Sequence, residues 1–478
     1  MAKVELTTRR RNFIVAVMLI SAFVAILNQT LLNTALPSIM RELNINESTS
    51  QWLVTGFMLV NGVMIPLTAY LMDRIKTRPL YLAAMGTFLL GSIVAALAPN
   101  FGVLMLARVI QAMGAGVLMP LMQFTLFTLF SKEHRGFAMG LAGLVIQFAP
   151  AIGPTVTGLI IDQASWRVPF IIIVGIALVA FVFGLVSISS YNEVKYTKLD
   201  KRSVMYSTIG FGLMLYAFSS AGDLGFTSPI VIGALIISMV IIYLFIRRQF
   251  NITNALLNLR VFKNRTFALC TISSMIIMMS MVGPALLIPL YVQNSLSLSA
   301  LLSGLVIMPG AIINGIMSVF IGKFYDGPRP LIYTGFTILT ITTIMLCFLH
   351  TDTSYTYLIV VYAIRMFSVS LLMMPINTTG INSLRNEEIS HGTAIMNFGR
   401  VMAGSLGTAL MVTLMSFGAK IFLSTSPSHL TATEIKQQSI AIGVDISFAF
   451  VAVLVMAAYV IALFIREPKE IESNRRKF

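Results

Sequence analysis

Long apolar runs, each about the length of a membrane-spanning helix, recur through almost the whole chain. About 20 predominantly apolar residues of α-helix cross a bilayer core, and fourteen runs reach that length. They cover residues 12–36, 49–72, 79–98, 101–126, 136–161, 167–189, 203–221, 229–246, 266–290, 300–322, 330–350, 355–384, 392–416 and 444–465. The sequence therefore predicts an all-α polytopic membrane protein with fourteen transmembrane helices.

The charge pattern supports this interpretation and predicts an orientation. Charged residues make up 11% of the chain, whereas soluble domains carry about 25%, so a soluble protein is excluded. The net charge of +15 does not indicate nucleic-acid binding, because the basic residues form short clusters between apolar runs. Loops on one side, with both termini, hold 26 of the 33 Lys and Arg, and the other loops hold four. We therefore expect both termini in the cytoplasm.

A short charged hinge occurs twice. The first copy contains Asp73, Arg74 and Arg78, and the second, 253 residues later, contains Asp326 and Arg329. Each follows an apolar run and leads into an Arg-Pro-Leu that opens the next run. A repeat of about half the chain is typical of transporters built from two similar halves.

The position of the repeat predicts the domain organisation. The copies follow the second and the tenth run, so two helices must be inserted between two bundles of six. We predict an N-terminal bundle over residues 1–190, inserted helices 7 and 8 with basic connectors over 191–265, and a C-terminal bundle with a cytoplasmic tail over 266–478. Residues 417–443 are predicted as the longest outer loop, a polar segment that can form a short surface helix.

Polar residues within the apolar runs are candidates for a substrate or proton pathway. A charge at mid-helix costs about 2.5–3.5 kcal/mol on insertion scales, so Arg108 should face a partner or water. It is either a pathway residue or a structural charge that holds helix 4 to carbonyl groups of a neighbouring helix. Gln111 lies one turn later on the same helix face. Asn28 and Asn33 in helix 1 and Gln147 in helix 5 can bond across helices or contact substrate, and both roles stay open.

Helix 5 carries a concentration of helix-distorting residues, Pro150, Gly153, Pro154 and Gly158. Proline removes a backbone hydrogen bond and kinks a helix, and small residues allow another helix to approach. This segment is either a packing kink or a gate between the halves.

No carboxylate occupies the middle of a predicted span, although proton-coupled carriers usually need one. The candidate proton carriers lie at helix ends, Asp73, Asp223, Asp326 and Asp445. For each of them, a role as a loop or helix-capping carboxylate is the alternative. No phosphate loop or zinc-ligand spacing occurs, and the four scattered histidines receive no role. We expect no cofactor and no metal site.

Several of these stretches together resemble the 14-helix drug:proton antiporters of the major facilitator superfamily. The first copy of the hinge is similar to that superfamily's loop signature. Arg108 and Gln111 match two positions of its helix 4 signature. Gly153, Pro154 and Gly158 resemble the antiporter signature of helix 5. Residues 28–37 resemble a helix 1 motif, which is matched from Thr30 to Pro37 but has Asn28 in place of its Asp. Lincomycin and multidrug efflux pumps of Gram-positive bacteria are the relatives that this pattern suggests.

The resemblance implies an efflux pump that exchanges inward protons for lipophilic, often cationic drugs by alternating access. It implies that Asp73 acts in a conformational latch and Arg108 in a proton relay, with the proton-motive force in place of a cofactor. We expect a monomer in the plasma membrane, with drugs, protons and lipid as its partners. An exporter or importer of one defined metabolite, such as an amino acid or siderophore, is the alternative, and a membrane sensor is disfavoured because no sizeable soluble domain is present.

Overall fold

The part of the chain that the computed structural model describes is helical throughout and contains no β-strand. The described residues are 7–131, 134–161, 164–190, 194, 200–252, 255–323, 328–425 and 431–465. Their α-helices are α1 (Thr8–Leu43), α2 (Glu47–Arg74), α3 (Thr77–Ala96), α4 (Phe101–Leu129), α5 (Arg135–Ile161), α6 (Arg167–Ser187), α7 (Lys201–Leu224), α8 (Pro229–Asn251), α9 (Arg265–Asn294), α10 (Ala300–Lys323), α11 (Pro328–Met345), α12 (Tyr355–Asn382), α13 (Ile389–Thr425) and α14 (Ala432–Leu463). Short 3-10 helices precede α9, at Leu259–Lys263, and α13, at Asn386–Glu388.

Among the described residues, twelve helices are long and apolar enough to cross a membrane. The α-helices outside this set are α5 and α11. The chain is thus an all-α polytopic membrane protein, and the count of fourteen spans stays a prediction.

Contacts between Cα atoms divide the chain into two compact units. Unit 1 comprises Met1–Tyr216, Ile237–Val261 and Arg385–Phe398. Within it, α4 packs against α3 and α2, and α1 packs against α5. One apolar cluster of this unit encloses the completely buried side chains of Trp166 and Phe170.

Unit 2 comprises Ala217–Ile236, Phe262–Leu384 and Gly399–Phe478. Its helix α12 packs against α10, α11 and α9, and α14 packs against α9 and α11. Its apolar core contains the buried side chains of Tyr291, Phe336 and Phe448.

Two glycines bring α3 and α4 unusually close together. A Cβ atom on Gly114 would lie 2.5 Å from the carbonyl oxygen of Ala84 and 2.7 Å from the backbone nitrogen of Phe88. A Cβ atom on Gly91 would lie 2.6 Å from the backbone nitrogen of Gln111. Because backbone atoms cannot rotate away, only glycine allows this helix contact.

The segment predicted as the longest outer loop, residues 417–443, consists mainly of extensions of α13 and α14, so the helix predicted within it continues these two helices and is not a separate one. Helix α13 continues to Thr425, and α14 already begins at Ala432 after its N-cap, Thr431. Thr431 and Glu434 form a reciprocal capping box, which satisfies free backbone donors at the start of α14. These polar turns extend beyond the apolar runs, and hydropathy alone therefore does not reveal them.

Candidate transport site

A buried polar cluster in unit 1 is centred on Arg108 of α4. Its side chain is completely buried, and its Nε donates a hydrogen bond to the carbonyl oxygen of Leu53 in α2 at 3.2 Å. Nη1 donates to Gln111 Oε1 at 3.0 Å, and the guanidinium carbon lies 4.2 Å above the ring of Phe57. The Nη2 atom has no hydrogen-bond partner.

Gln111 connects Arg108 to two further helices. Its Nε2 donates to Ser92 Oγ in α3 at 3.0 Å and, with a longer bond of 3.4 Å, to Asn28 Oδ1 in α1. The side chains of Gln111, Asn28 and Ser92 are completely buried. The Nδ2 atom of Asn28 has no hydrogen-bond partner. Four helices therefore converge on one connected cluster that leaves two donor groups unsatisfied.

The other predicted pathway residues cannot be placed in this cluster. Asn33 lies in α1 and Gln147 in α5, but their side chains are outside the described part of the structure.

Unit 2 contains a second buried arginine, Arg365 of α12, which is also completely buried. Its Nη2 donates to the carbonyl oxygen of Ser280 in α9, whereas Nε and Nη1 have no hydrogen-bond partner. If the two hinge copies are aligned, helix 12 corresponds to helix 4, and each of these helices carries an arginine ten to twelve residues before a proline, Arg365 before Pro375 and Arg108 before Pro120. Arg365 lies ten residues after Tyr355, where α12 begins, and is completely buried, so its side chain does not reach the membrane surface.

The hinge residue Asp73, near the end of α2, contacts the first turn of α13. Ser390 Oγ donates to Asp73 Oδ1 at 2.6 Å, and His391 Nε2 lies 3.2 Å from Asp73 Oδ2. His391 Nδ1 accepts a hydrogen bond from the backbone N–H of Asn258 at 3.3 Å. A neutral His391 therefore carries its proton on Nε2, from which it can donate to Asp73. We call Asp73, Ser390 and His391 the hinge cluster.

The remaining hinge residues make other contacts. Arg74 Nη1 donates to the hydroxyl of Tyr70 at 2.5 Å, and Arg78 Nη2 donates to the carbonyl oxygen of Leu185 in α6 at 2.9 Å. Arg329, at the start of α11, is exposed. Asp326 lies outside the described residues, so the second hinge copy cannot be compared with the first.

The proline- and glycine-rich stretch of α5 packs against α1. A Cβ atom on Gly153 would lie 2.4 Å from Thr30 Oγ1, so a glycine is needed for this close approach. Pro150 is exposed, and the side chains of Pro154 and Gly158 are outside the described part. The stretch remains a predicted gate.

Of the four candidate proton carriers, Asp445 lies furthest inside a described helix. It is the fourteenth residue of α14, because that helix begins earlier than predicted. Its half-buried carboxylate accepts a hydrogen bond from the backbone N–H of Leu349 at 2.9 Å. Asp223 lies at the end of α7, and its side chain is not described.

Sequence reasoning missed two polar contacts. It gave no role to His391, although this residue contacts Asp73. It also missed an ion pair at the start of α7, in which Arg248 Nε and Nη2 donate to the two oxygens of Asp200 at 2.5 and 2.9 Å. Hydrogen bonds from Arg248 lower the pKa of Asp200 to about 2. Asp200 and Arg248 are 48 residues apart and Asp73 and His391 are 318 residues apart, so no local sequence pattern indicates that either pair is in contact.

Comparisons with known proteins agree with this architecture. The family model of the Major Facilitator Superfamily matches residues 18–408. The MFS-type transporter YcnB of Bacillus subtilis (strain 168) is 41% identical over 461 residues, 96% of each chain. The lincomycin resistance protein LmrB of the same strain is 38% identical over 456 residues, 95% of each chain.

Similarity to a solved structure extends the agreement to the fold. The crystal structure of the human organic anion transporter MFSD10 matches with a TM-score of 0.67, covering 94% of this chain and 99% of the other. At 12% identity, this similarity shows the fold alone. The family model matches most of the chain, and twelve helices of its described part are apolar enough to cross a membrane. The chain therefore belongs to the major facilitator superfamily and is a multi-pass transporter of the plasma membrane.

Proposed function

We propose that this transporter exports lipophilic antibiotics and dyes in exchange for protons. The observation that carries the proposal is the similarity to a lincomycin resistance protein along 95% of both chains. In the proposed architecture, fourteen helices form two six-helix bundles, at 1–190 and 266–478, around the inserted segment 191–265. Both termini face the cytoplasm, and the protein works as a monomer without a cofactor.

The hinge cluster is proposed to hold one conformation of the transport cycle. Asp73 lies in the last turn of α2, whereas Ser390 and His391 lie in the first turn of α13. A carboxylate that accepts bonds from two side chains favours the conformation in which these segments meet. Breaking these bonds is then one step of alternating access.

Asp445 is the proposed proton carrier. Asp445 lies where the polar first turns of α14 pass into its apolar run, and its carboxylate is half-buried. A buried or half-buried carboxylate is costly unless it pairs, neutralises or serves transport. One proton that enters across a membrane potential of 100 mV supplies about 2.3 kcal/mol. Because a tenfold concentration ratio costs about 1.36 kcal/mol, this energy sustains roughly a fifty-fold drug gradient.

Asp445→Asn separates proton binding from structure, because an asparagine oxygen can still accept the bond from Leu349. The purified protein is reconstituted into liposomes with an imposed pH gradient, and lincomycin, a phenicol and a cationic dye are added in turn. In the wild type, several compounds should collapse the gradient faster than in empty liposomes. The variant should let labelled drug equilibrate but no longer concentrate it. Asp352→Asn, in an exposed loop, is the matched control and should behave as wild type.

Two results would contradict the proposal. If a single compound moves, the protein is an exporter or importer of one metabolite. If Asp445→Asn still concentrates drug fully, another group carries the proton.

A further inference from the structure

The cluster around Arg108 carries a positive charge that its neighbours do not neutralise. The groups in contact with the guanidinium are the Leu53 carbonyl, the Gln111 amide oxygen and the Phe57 ring, all of which are neutral. Within the described part of the chain, no carboxylate lies within ion-pair distance of it. A completely buried arginine stays protonated, and a buried charge without a counter-charge is strongly unfavourable. The cluster therefore lacks an anion.

The unsatisfied atoms of the cluster are donors. Arg108 Nη2 and Asn28 Nδ2 both lack an acceptor, and Gln111 joins the two residues through hydrogen bonds. Unsatisfied N–H groups beside a positive charge attract an anion and repel a cation. The same residues would hold a carboxylate or a halide, since both accept hydrogen bonds and carry one negative charge.

We propose that Asn28, Gln111 and Arg108 form a binding site for a monovalent anion, the deprotonated acid group of an exported compound. This substrate class rests on the proposed export function, and such acids would be exported in addition to the neutral and cationic compounds named there. The site is closed to solvent in this conformation, because all three side chains are completely buried. The anion therefore enters when the surrounding helices separate.

Residue 28 decides the charge that the site accepts. An aspartate would fit in almost the same volume and would place a carboxylate in the cluster, where it would neutralise Arg108 and compete with an external anion. With asparagine, that negative charge must come from the ligand. Asn28→Asp should therefore weaken the binding of acids and favour cations.

Two dyes with the same xanthene scaffold test this. Fluorescein carries a carboxylate and is anionic, whereas in rhodamine 6G the carboxyl group is esterified and the molecule is cationic. Binding to the purified full chain is followed by fluorescence anisotropy. We expect Asn28→Asp to weaken fluorescein binding about 10- to 100-fold, the loss typical of a hydrogen-bonded charge, and to strengthen rhodamine 6G binding. Asn100→Asp, the N-cap of α4 where aspartate caps equally well, is the matched control.

Additional measurements separate the remaining explanations. Arg108→Lys should retain more fluorescein binding than Arg108→Gln, and if neither folds, Asn28→Asp decides alone. If chloride, compared with gluconate, weakens fluorescein binding in the wild type but not in Asn28→Asp, chloride also occupies the site. If chloride has no effect, organic acids are its ligands.

Equal fluorescein binding by wild type and Asn28→Asp, or an equal loss for both dyes, would overturn the anion site. The proposed function fails separately: no drug would then move in liposomes, although fluorescein binding would still depend on residue 28.

Discussion

The hinge cluster makes a quantitative prediction about local opening of α13. Ser390 Oγ donates its one described side-chain bond to Asp73 at 2.6 Å. A hydrogen bond to a charged group contributes about 1.5–3 kcal/mol. We take the lower end, about 1.5 kcal/mol, because the Asp73 side chain is 18% exposed to solvent. Ser390→Ala should therefore raise the population of the opened first turn about tenfold.

Hydrogen exchange followed by mass spectrometry measures this opening. Amides of residues 386–398 should exchange about tenfold faster in Ser390→Ala. The control is Ser383→Ala, because the Ser383 hydroxyl donates within its own helix, to the Gly380 carbonyl. That variant should leave exchange in α13 unchanged.

A double-mutant cycle then tests the pairing. In the presence of Asp73→Asn, adding Ser390→Ala should have much less effect than in the wild type, because the charged acceptor is already gone. Fully additive effects, or unchanged exchange in Ser390→Ala, would refute the reasoning.

Two other predictions concern packing and pH. Gly114→Ala should destabilise the protein by about 1–3 kcal/mol, because the new Cβ would meet backbone atoms of α3. Gly175→Ala is the control and should not destabilise it, because nothing lies within 4 Å of the Cβ at that position. The melting temperatures of both variants and the wild type are compared in detergent. The Arg248 ion pair lowers the pKa of Asp200 from 3.8 to about 2, so its stabilisation is complete above pH 4 and is lost as the pH falls towards 2. Arg248→Gln should thus have a lower melting temperature than the wild type at neutral pH, and the two melting temperatures should converge near pH 2. A difference in melting temperature that stays constant over this pH range would argue against a stabilising ion pair.

Much of the helical architecture could be predicted, because membrane-spanning helices leave a strong local signal in hydropathy. The bond between Arg108 and Gln111 also followed from local spacing, since residues three apart lie on one helix face. The extra turns of α13 and α14 were predicted only as a polar outer loop with a short surface helix, because their polar residues interrupt the hydropathy signal. Partners of Asp73 more than 300 residues away depend on tertiary packing, which a single sequence does not reveal.

The two completely buried arginines of the described structure, Arg108 and Arg365, show why the site is harder to predict from sequence than the fold. Packing alone would favour an apolar side chain at either position, since a buried charge costs free energy that hydrophobic residues avoid. Both Arg108 and Arg365 nevertheless lie completely inside their units, each with donors that no described group accepts. The sequence repeat explains why there are two, but it does not explain why their donors stay unsatisfied. Residues that violate the rules of stable packing mark functional sites, and in this chain Asn28 is the neighbour whose substitution tests that interpretation most directly.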